Sequence, residues 1–250
     1  GHWVCEQLPQ LRSIEAFIER QKQDIPLLIN PKPTRWQIDT LRLMGWESNR
    51  LIKQNWSGIR VNSLIVSSLR NVHSRGMEYD PRARNWAFNR LRNSANVVQN
   101  VKSKSARRYI FRQDMPDRRV HNFEKVERLL ISSGYDTLEP SDPMSEQIAT
   151  AVGTRALVGV FGSGIINLFF SEQRQFLLEI FGTEQENKEV FFLLAAEFGV
   201  AHTSLYAPAS RGDAKSRNPG APFADSFEVD IEQLSLALQK LELVINRPTP

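Results

Sequence analysis

Gly159–Phe170 reads GVFGSGIINLFF, an apolar run broken by Gly-x-Gly that becomes apolar again with one polar residue, Asn167, inside it. Ala156–Val160 ahead of the break has the composition of a buried strand, and the run beyond the glycines has that of a buried helix. Strand, glycine turn and helix in that order present backbone N–H groups and a positive helix end to an anion. The same order also serves as a plain tight turn. Gly-x-Gly is neither a Walker sequence nor the full dinucleotide fingerprint, so the stretch alone leaves both readings open.

Working outward, the alternation continues on both sides. Arg108–Arg112 alternates like a strand. Asn122 is placed to cap a helix carrying Phe123, Val126, Leu129 and Leu130, with Gly134 as its stop. Tyr135–Leu138 reads as a short strand, and Asp142-Pro143 opens a helix through Met144, Ile148, Ala151 and Val152. Phe176–Phe181 (FLLEIF) is a strand, Glu189–Phe198 a helix and His202–Tyr206 a last strand. Strands alternating with helices predict an α/β fold with a parallel sheet covered on both faces, a Rossmann-like unit from about 105 to 208.

Upstream the same alternation is looser. Leu8, Leu11, Ile14 and Ile18 mark an amphipathic helix. Pro26–Ile29 and Val61–Ser67 read as strands, with helices near Gln37–Met44 and Pro81–Leu91. Ser94–Lys104 is polar and patternless and is expected to link two domains. Asp230 caps a final helix with Ile231, Leu234, Leu238 and Leu241 as its stripe. Ser210–Pro222 has loop composition, and its Arg-Gly-Asp triplet is read as coincidence. The expected division is an N-terminal Rossmann-like domain over 1–100, a second over 105–222, and a closing helix over 223–250 packed back on the first. The sequence begins GHWVCEQ, without an initiating Met or a basic leader, and is read as truncated upstream.

Charge separates the halves as well. Residues 1–120 hold 22 Lys and Arg against 10 Asp and Glu, and residues 121–250 hold 10 against 18, giving the net +4. A basic half suits an anionic membrane surface, a phosphorylated small molecule or nucleic acid. No nucleic-acid motif accompanies the charge, so no nucleic-acid partner is expected. The single cysteine, Cys5, excludes an internal disulfide framework and a cysteine-rich metal site. The lone cysteine fits a reducing compartment and no apolar run approaches the length of a membrane span; the expected setting is cytoplasmic, soluble or peripheral at the inner membrane face.

Several separated blocks in one order carry a resemblance. They are Arg112, Arg118, Arg119, Val120 and Asn122; Glu146 and Gln147; the glycine turn from Gly159 to Phe169; Leu178 with Glu179; and the opening GHWVCEQLPQL. Together they resemble glycosyltransferase family 61, the group that includes capsular polysaccharide biosynthesis enzymes. In that family the turn reads G-P-H-G-A-G-L-x-N-L-x-F, and a His-Trp…Leu-Pro block lies near the start. The resemblance implies a GT-B architecture, two Rossmann-like domains facing a cleft. It implies an inverting, metal-independent glycosyltransferase that moves a sugar from a nucleotide-sugar to a glycan or lipid-linked glycan acceptor, with no further cofactor. No Asp-x-Asp or clustered His and Asp set contradicts the last point.

The resemblance also implies roles for single residues. Inverting transfer needs positive charge for the leaving phosphates and a base for the acceptor hydroxyl. Arg112, with Arg118 or Arg119, supplies bidentate phosphate contacts, or else these are solvated charges. Gly162, Ser163 and Gly164 would offer backbone donors. Asn167 either meets the donor or ties the turn together, and Glu179 either accepts from ribose hydroxyls or faces solvent. His2 and Glu6, one helical turn apart, form a candidate base and its orienting carboxylate, unless His2 is a frayed end. Phe161 stands where the family has His, Val160 where it has Pro and Ser163 where it has Ala. The loss of an imidazole beside the phosphates makes the alternative a non-catalytic nucleotide- or glycan-binding homologue.

Overall fold

In the computed structural model, which describes residues 2–55, 58–67, 80–98, 106–111, 119–171, 175–182, 189–208 and 227–246, the chain divides into two compact units. One is Gly1–Val101 with Asp142–Ala149, and the other is Lys102–Ser141 with Thr150–Pro250. No helix among the described residues is long and apolar enough to cross a membrane.

The first unit opens with a π-helical turn, Trp3–Gln7, and a 3₁₀ turn, Leu8–Gln10, running into α1 (Leu11–Gln21). There follow β1 (Leu27–Ile29), α2 (Arg35–Leu43), β2 (Leu51–Lys53) and α3 (Pro81–Val98). β1 and β2 pair in parallel, with Leu27 opposite Leu51. α2 starts where the Gln37 side chain accepts from the Thr34 N–H at 2.8 Å, and it stops at Gly45, whose φ of +84° suits glycine. Leu8, Leu11, Leu41, Met44, Trp46 and Leu91 fill the core.

Two expectations change here. Val61–Ser67 forms no strand; Val61, Leu64 and Val66 are exposed, so no buried face holds this segment in a sheet register. The expected linker from Ser94 is helical as far as Val98, because Leu91 and Ala95 are both fully buried and carry the helix on.

The second unit contains β3 (Arg107–Ile110), α4 (Phe123–Ser132) and β4 (Asp136–Thr137). α5 (Met144–Val152) begins among the first unit's residues and ends among the second's. Then come β5 (Ala156–Val160), a 3₁₀ helix (Ser163–Phe170), β6 (Phe176–Phe181), α6 (Glu189–Phe198), β7 (Ala201–Tyr206) and α7 (Ile231–Ile245). The five strands form one parallel sheet in the order β4-β3-β5-β6-β7. Every residue of β5 and β6 is buried, which explains why both read as unbroken apolar runs rather than alternating ones.

One face of this sheet (Tyr109, Val158, Leu178) packs with Val126 and Leu130 of α4 and with Leu234, Leu238 and Leu241 of α7 in a single core. α7 therefore belongs to the second unit. The expected closing arm over 223–250, packed on the first domain, is corrected: its leucine stripe is spent on the same sheet as α4. Asp230 starts α7, its Oδ1 accepting from the N–H groups of Glu232 at 2.9 Å and Gln233 at 3.1 Å.

Asn122 does not cap α4 through its side chain. Its Nδ2 donates to the Val229 carbonyl at 2.7 Å and its Oδ1 accepts from the Val229 N–H at 3.0 Å. Beside this, the Phe227 N–H donates to the Arg119 carbonyl and the His121 N–H to the Phe227 carbonyl. The segment entering α7 is thus tied to the start of α4 by paired hydrogen bonds, and Phe227 is fully buried.

Candidate functional site

From β3 the chain passes outward to β4, then returns across β3 to β5 and continues through β6 to β7. The strand order therefore reverses direction between β3 and β5. In open parallel sheets ligands bind in the crevice beyond the carboxyl ends of strands at such a switch. The glycine turn leaves β5 at this point, and the described part of the β3 exit ends at Phe111.

Packing accounts for two of the turn's glycines. A Cβ on Gly164 would lie 2.5 Å from Ile110 Cδ1, and one on Gly159 would lie 2.9 Å from Ile110 Cγ2. The 3₁₀ helix comes so close to β3 that no side chain fits between them. Gly162 precedes this helix in extended backbone, and no side chain caps its first turn. Ser163 is exposed and Gly164 half-buried, so the first N–H groups of the turn lie at the accessible end. Ile165 to Phe170 are buried behind them. Asn167 donates from Nδ2 to the Gly164 carbonyl at 3.1 Å, which ties the turn to itself.

Phe161 is half-buried in an aromatic group. Its ring centroid is 5.8 Å from Phe181 in a stacked arrangement and 5.4 Å from Phe191 edge to face, both favourable geometries. The aromatic side chain at this position is held by packing from β6 and α6.

At the same edge, the start of α4 borders a groove of about 620 Å³ lined by Arg119, His121, Asn122, Lys125 and Arg128 among others. Arg119, His121, Lys125 and Arg128 are exposed. Of the three candidate phosphate-binding arginines, Arg119 lies here, whereas Arg112 and Arg118 fall outside the described residues. Other cations of the basic half serve the fold. Arg107 pairs with Glu242 of α7, and buried Arg108 donates to the Thr137 carbonyl at 3.3 Å beside Asp136. Burial lowers the Arg108 pKa, partly offset by Asp136.

Glu179 does not face solvent, one of the two alternatives expected of it. It is fully buried, with Oε2 at 2.8 Å from His202 Nε2 across β6 and β7, while Oε1 has no hydrogen-bond partner among the described residues. Burial pushes its carboxyl pKa up, and the bond and charge of His202 pull it down. A central strand of a parallel sheet is covered on both faces, so its one acidic residue does not face solvent. The available signal for His202 as its partner was a Glu inside the otherwise apolar FLLEIF.

In the first unit, His2 Nδ1 is 2.5 Å from Glu6 Oε1. The Glu6 side chain is 10% exposed and that of His2 82%. The turn Trp3–Gln7 brings the two together, and Trp3 is anchored by its indole N–H donating to Thr40 Oγ1 at 2.8 Å. A carboxylate in that position can accept a hydrogen bond from Nδ1–H, which favours the tautomer with Nε2 free to accept a proton. Cys5, buried alongside, is a small core residue. Among the described residues, no three His, Cys, Asp or Glu side chains are grouped to hold a metal ion.

A family model described as Glycosyltransferase 61 matches residues 1–177, well over half of the chain. The match includes the His2–Glu6 pair, the start of α4 and the glycine turn, and it ends within β6 before Glu179. No curated protein matches the chain.

Proposed function

We propose, for a chain that belongs to the glycosyltransferase 61 family, an inverting and metal-independent transfer from a nucleotide-sugar to a glycan or lipid-linked glycan acceptor in capsule-type polysaccharide assembly. The two units would act as the halves of a GT-B enzyme, the first serving the acceptor and the second the donor. A cytoplasmic setting, with or without peripheral contact at the inner membrane face, goes with a nucleotide-sugar donor.

The observation that carries this reading is the placement of the glycine turn at the switch between β3 and β5, where parallel sheets receive nucleotides. The diphosphate would be met by the N–H groups at Ser163 and Gly164, at the accessible end of the turn, with that of Gly162 beside them, and by Arg119, with Arg112 and Arg118 proposed from the same sequence block. His2 Nε2 would take the proton of the acceptor hydroxyl. That oxygen then bonds to the anomeric carbon on the face opposite the phosphate, and the diphosphate departs with the electron pair of the breaking C–O bond. Asn167 would hold the turn through its Nδ2 donation to the Gly164 carbonyl.

One observation favours a second reading. Phe161, packed on Phe181 and Phe191, supplies no hydrogen bond to a departing diphosphate. A nucleotide- or glycan-binding homologue without turnover would keep the rest of the arrangement.

A thermal-shift panel of free nucleotides and nucleotide-sugars, followed by transfer and donor-hydrolysis assays, separates the two. Stabilisation with turnover supports the enzyme, stabilisation without turnover supports the binding homologue, and no stabilisation by any nucleotide overturns the donor site. In the enzyme, His2→Ala lowers turnover by about 100-fold or more and leaves donor affinity unchanged. Full turnover in that variant removes His2 as base.

A further inference from the structure

His2 and Glu6 meet only while the residues between them keep their turn, because side chains four apart share a face on a helical turn and not on extended backbone. That turn, Trp3–Gln7, is π-helical, closed by the Leu8 N–H on the Trp3 carbonyl. Turns of this kind are rare, and those that occur lie frequently at functional sites. Side chains of two other helices hold it. From α3, buried Arg84 reaches the Cys5 carbonyl with Nε at 3.5 Å. From α2, Thr40 Oγ1 accepts the Trp3 indole N–H at 2.8 Å, and Trp36 stands edge to face with the Trp3 ring at a centroid distance of 6.1 Å.

Thr40 is fully buried, and its hydroxyl is used twice. It donates to the Gln37 carbonyl at 2.9 Å, which leaves a lone pair directed at the indole. A hydroxyl bonded back to its own helix adds nothing to that helix and slightly weakens it, and valine would fill the same place on α2 without burying a polar atom. What the hydroxyl does that valine could not is fix Trp3. Trp3 lies between His2 and Glu6 in the chain, so holding it holds the turn that brings imidazole and carboxylate together. Trp3 and Gln7 also line an apolar groove of about 650 Å³ with Leu8, Leu28, Ile52 and Leu64, so the turn that carries His2 borders a concave face of the unit.

We propose that Thr40 is a positioning residue for the His2 imidazole. Acting through Trp3, it maintains the turn in which Glu6 accepts from Nδ1–H and Nε2 stays free for the acceptor hydroxyl. The inference rests on the reading of His2 as base, but the arrangement exists without substrate and is tested without one.

Heteronuclear NMR of the whole chain reports the tautomer of each imidazole at alkaline pH, where histidine is neutral, and His2→Ala identifies the His2 signals. The Nδ1–H tautomer of His2 should predominate in the native protein and in Thr40→Ser, which keeps the hydroxyl. It should fall about threefold or more in Thr40→Val and in Trp3→Phe. Combining those two substitutions should add no further loss, since the pair acts as one unit. In the transfer assay Thr40→Val should lower kcat about tenfold with donor affinity unchanged, and Thr40→Ser should restore it. Four results overturn the proposal: Nε2–H as the native tautomer, a native ratio in Thr40→Val, equal losses in Thr40→Val and Thr40→Ser, or additive losses with Trp3→Phe. Full turnover in His2→Ala beside the expected tautomer shifts refutes the base and not the positioning. Lost turnover in His2→Ala beside a native Thr40→Val refutes the positioning alone.

Discussion

In the second unit the two central strands are buried throughout, whereas in the first unit Leu28 of β1 is 39% exposed and Ile52 of β2 46%. Both units draw on the same alternation of apolar strand and amphipathic helix. The difference lies in how many strands share the work. Five parallel strands give α4 and α7 a wide apolar face to cover, and the interior closes. Two strands of three residues offer too little surface for that, and the unit leaves a groove. Apolar side chains in the second unit are spent on stability, and several of those in the groove remain exposed.

The sharpest way to break this contrast is at Gly182, directly after β6. A Cβ there would lie 2.0 Å from Phe227 Cδ1, in a ring that is fully buried. Gly182→Ala should cost about 3 kcal/mol, read as a fall in the denaturation midpoint. A loss below about 0.5 kcal/mol would show that the segment entering α7 is not locked in place.

The next largest effect concerns the turn. Gly164→Ala should destabilise by about 1–2 kcal/mol through its clash with Ile110. In a double-mutant cycle with Ile110→Ala, that cost should largely vanish. Purely additive losses would show that Gly164 is not retained for packing.

A smaller, pH-dependent effect comes from the buried pair. Burial raises the Glu179 carboxyl above its ordinary 4.5, against the opposing pull of His202. A raised folded-state value adds stability that is complete below the ordinary value and is lost as pH climbs through the raised one. Stability should therefore fall with rising pH over that window, by at most about 1.4 kcal/mol per pH unit for one proton. Glu179→Gln should flatten this part of the profile; an unchanged slope would assign the dependence to other groups.

The smallest effect belongs to the first unit. Leu64→Ser and Val66→Ser, at side chains exposed by 62% and 68%, should each change stability by less than about 0.5 kcal/mol. A loss of about 2 kcal/mol or more would mean that the groove is part of the core and erase the contrast between the units.

Legibility in the sequence divides along the same line. β5 and β6 are visible to the residue, because a strand covered on both faces leaves an uninterrupted apolar run between breakers. α7 is visible from its stripe and Asp230, yet not which sheet it covers, since a leucine stripe says only that some apolar face receives it. β2 escapes a reading by pattern: Leu-Ile-Lys is too short to show a period. Val61–Ser67 has the look of a strand because its β-branched residues suit a sheet, yet here they line an exposed groove.

By itself, then, the sequence determined the α/β class, the elements of the second unit and the family blocks that place the glycine turn, since all three are properties of local period and order. Only the tertiary structure decided what those residues meet. It set Gly159 and Gly164 against Ile110 and enclosed Phe161 between Phe181 and Phe191. It also withdrew Glu179 into the interior with His202. Each of these depends on which strand lies next to which, and pairing between distant segments leaves no local trace in composition or spacing.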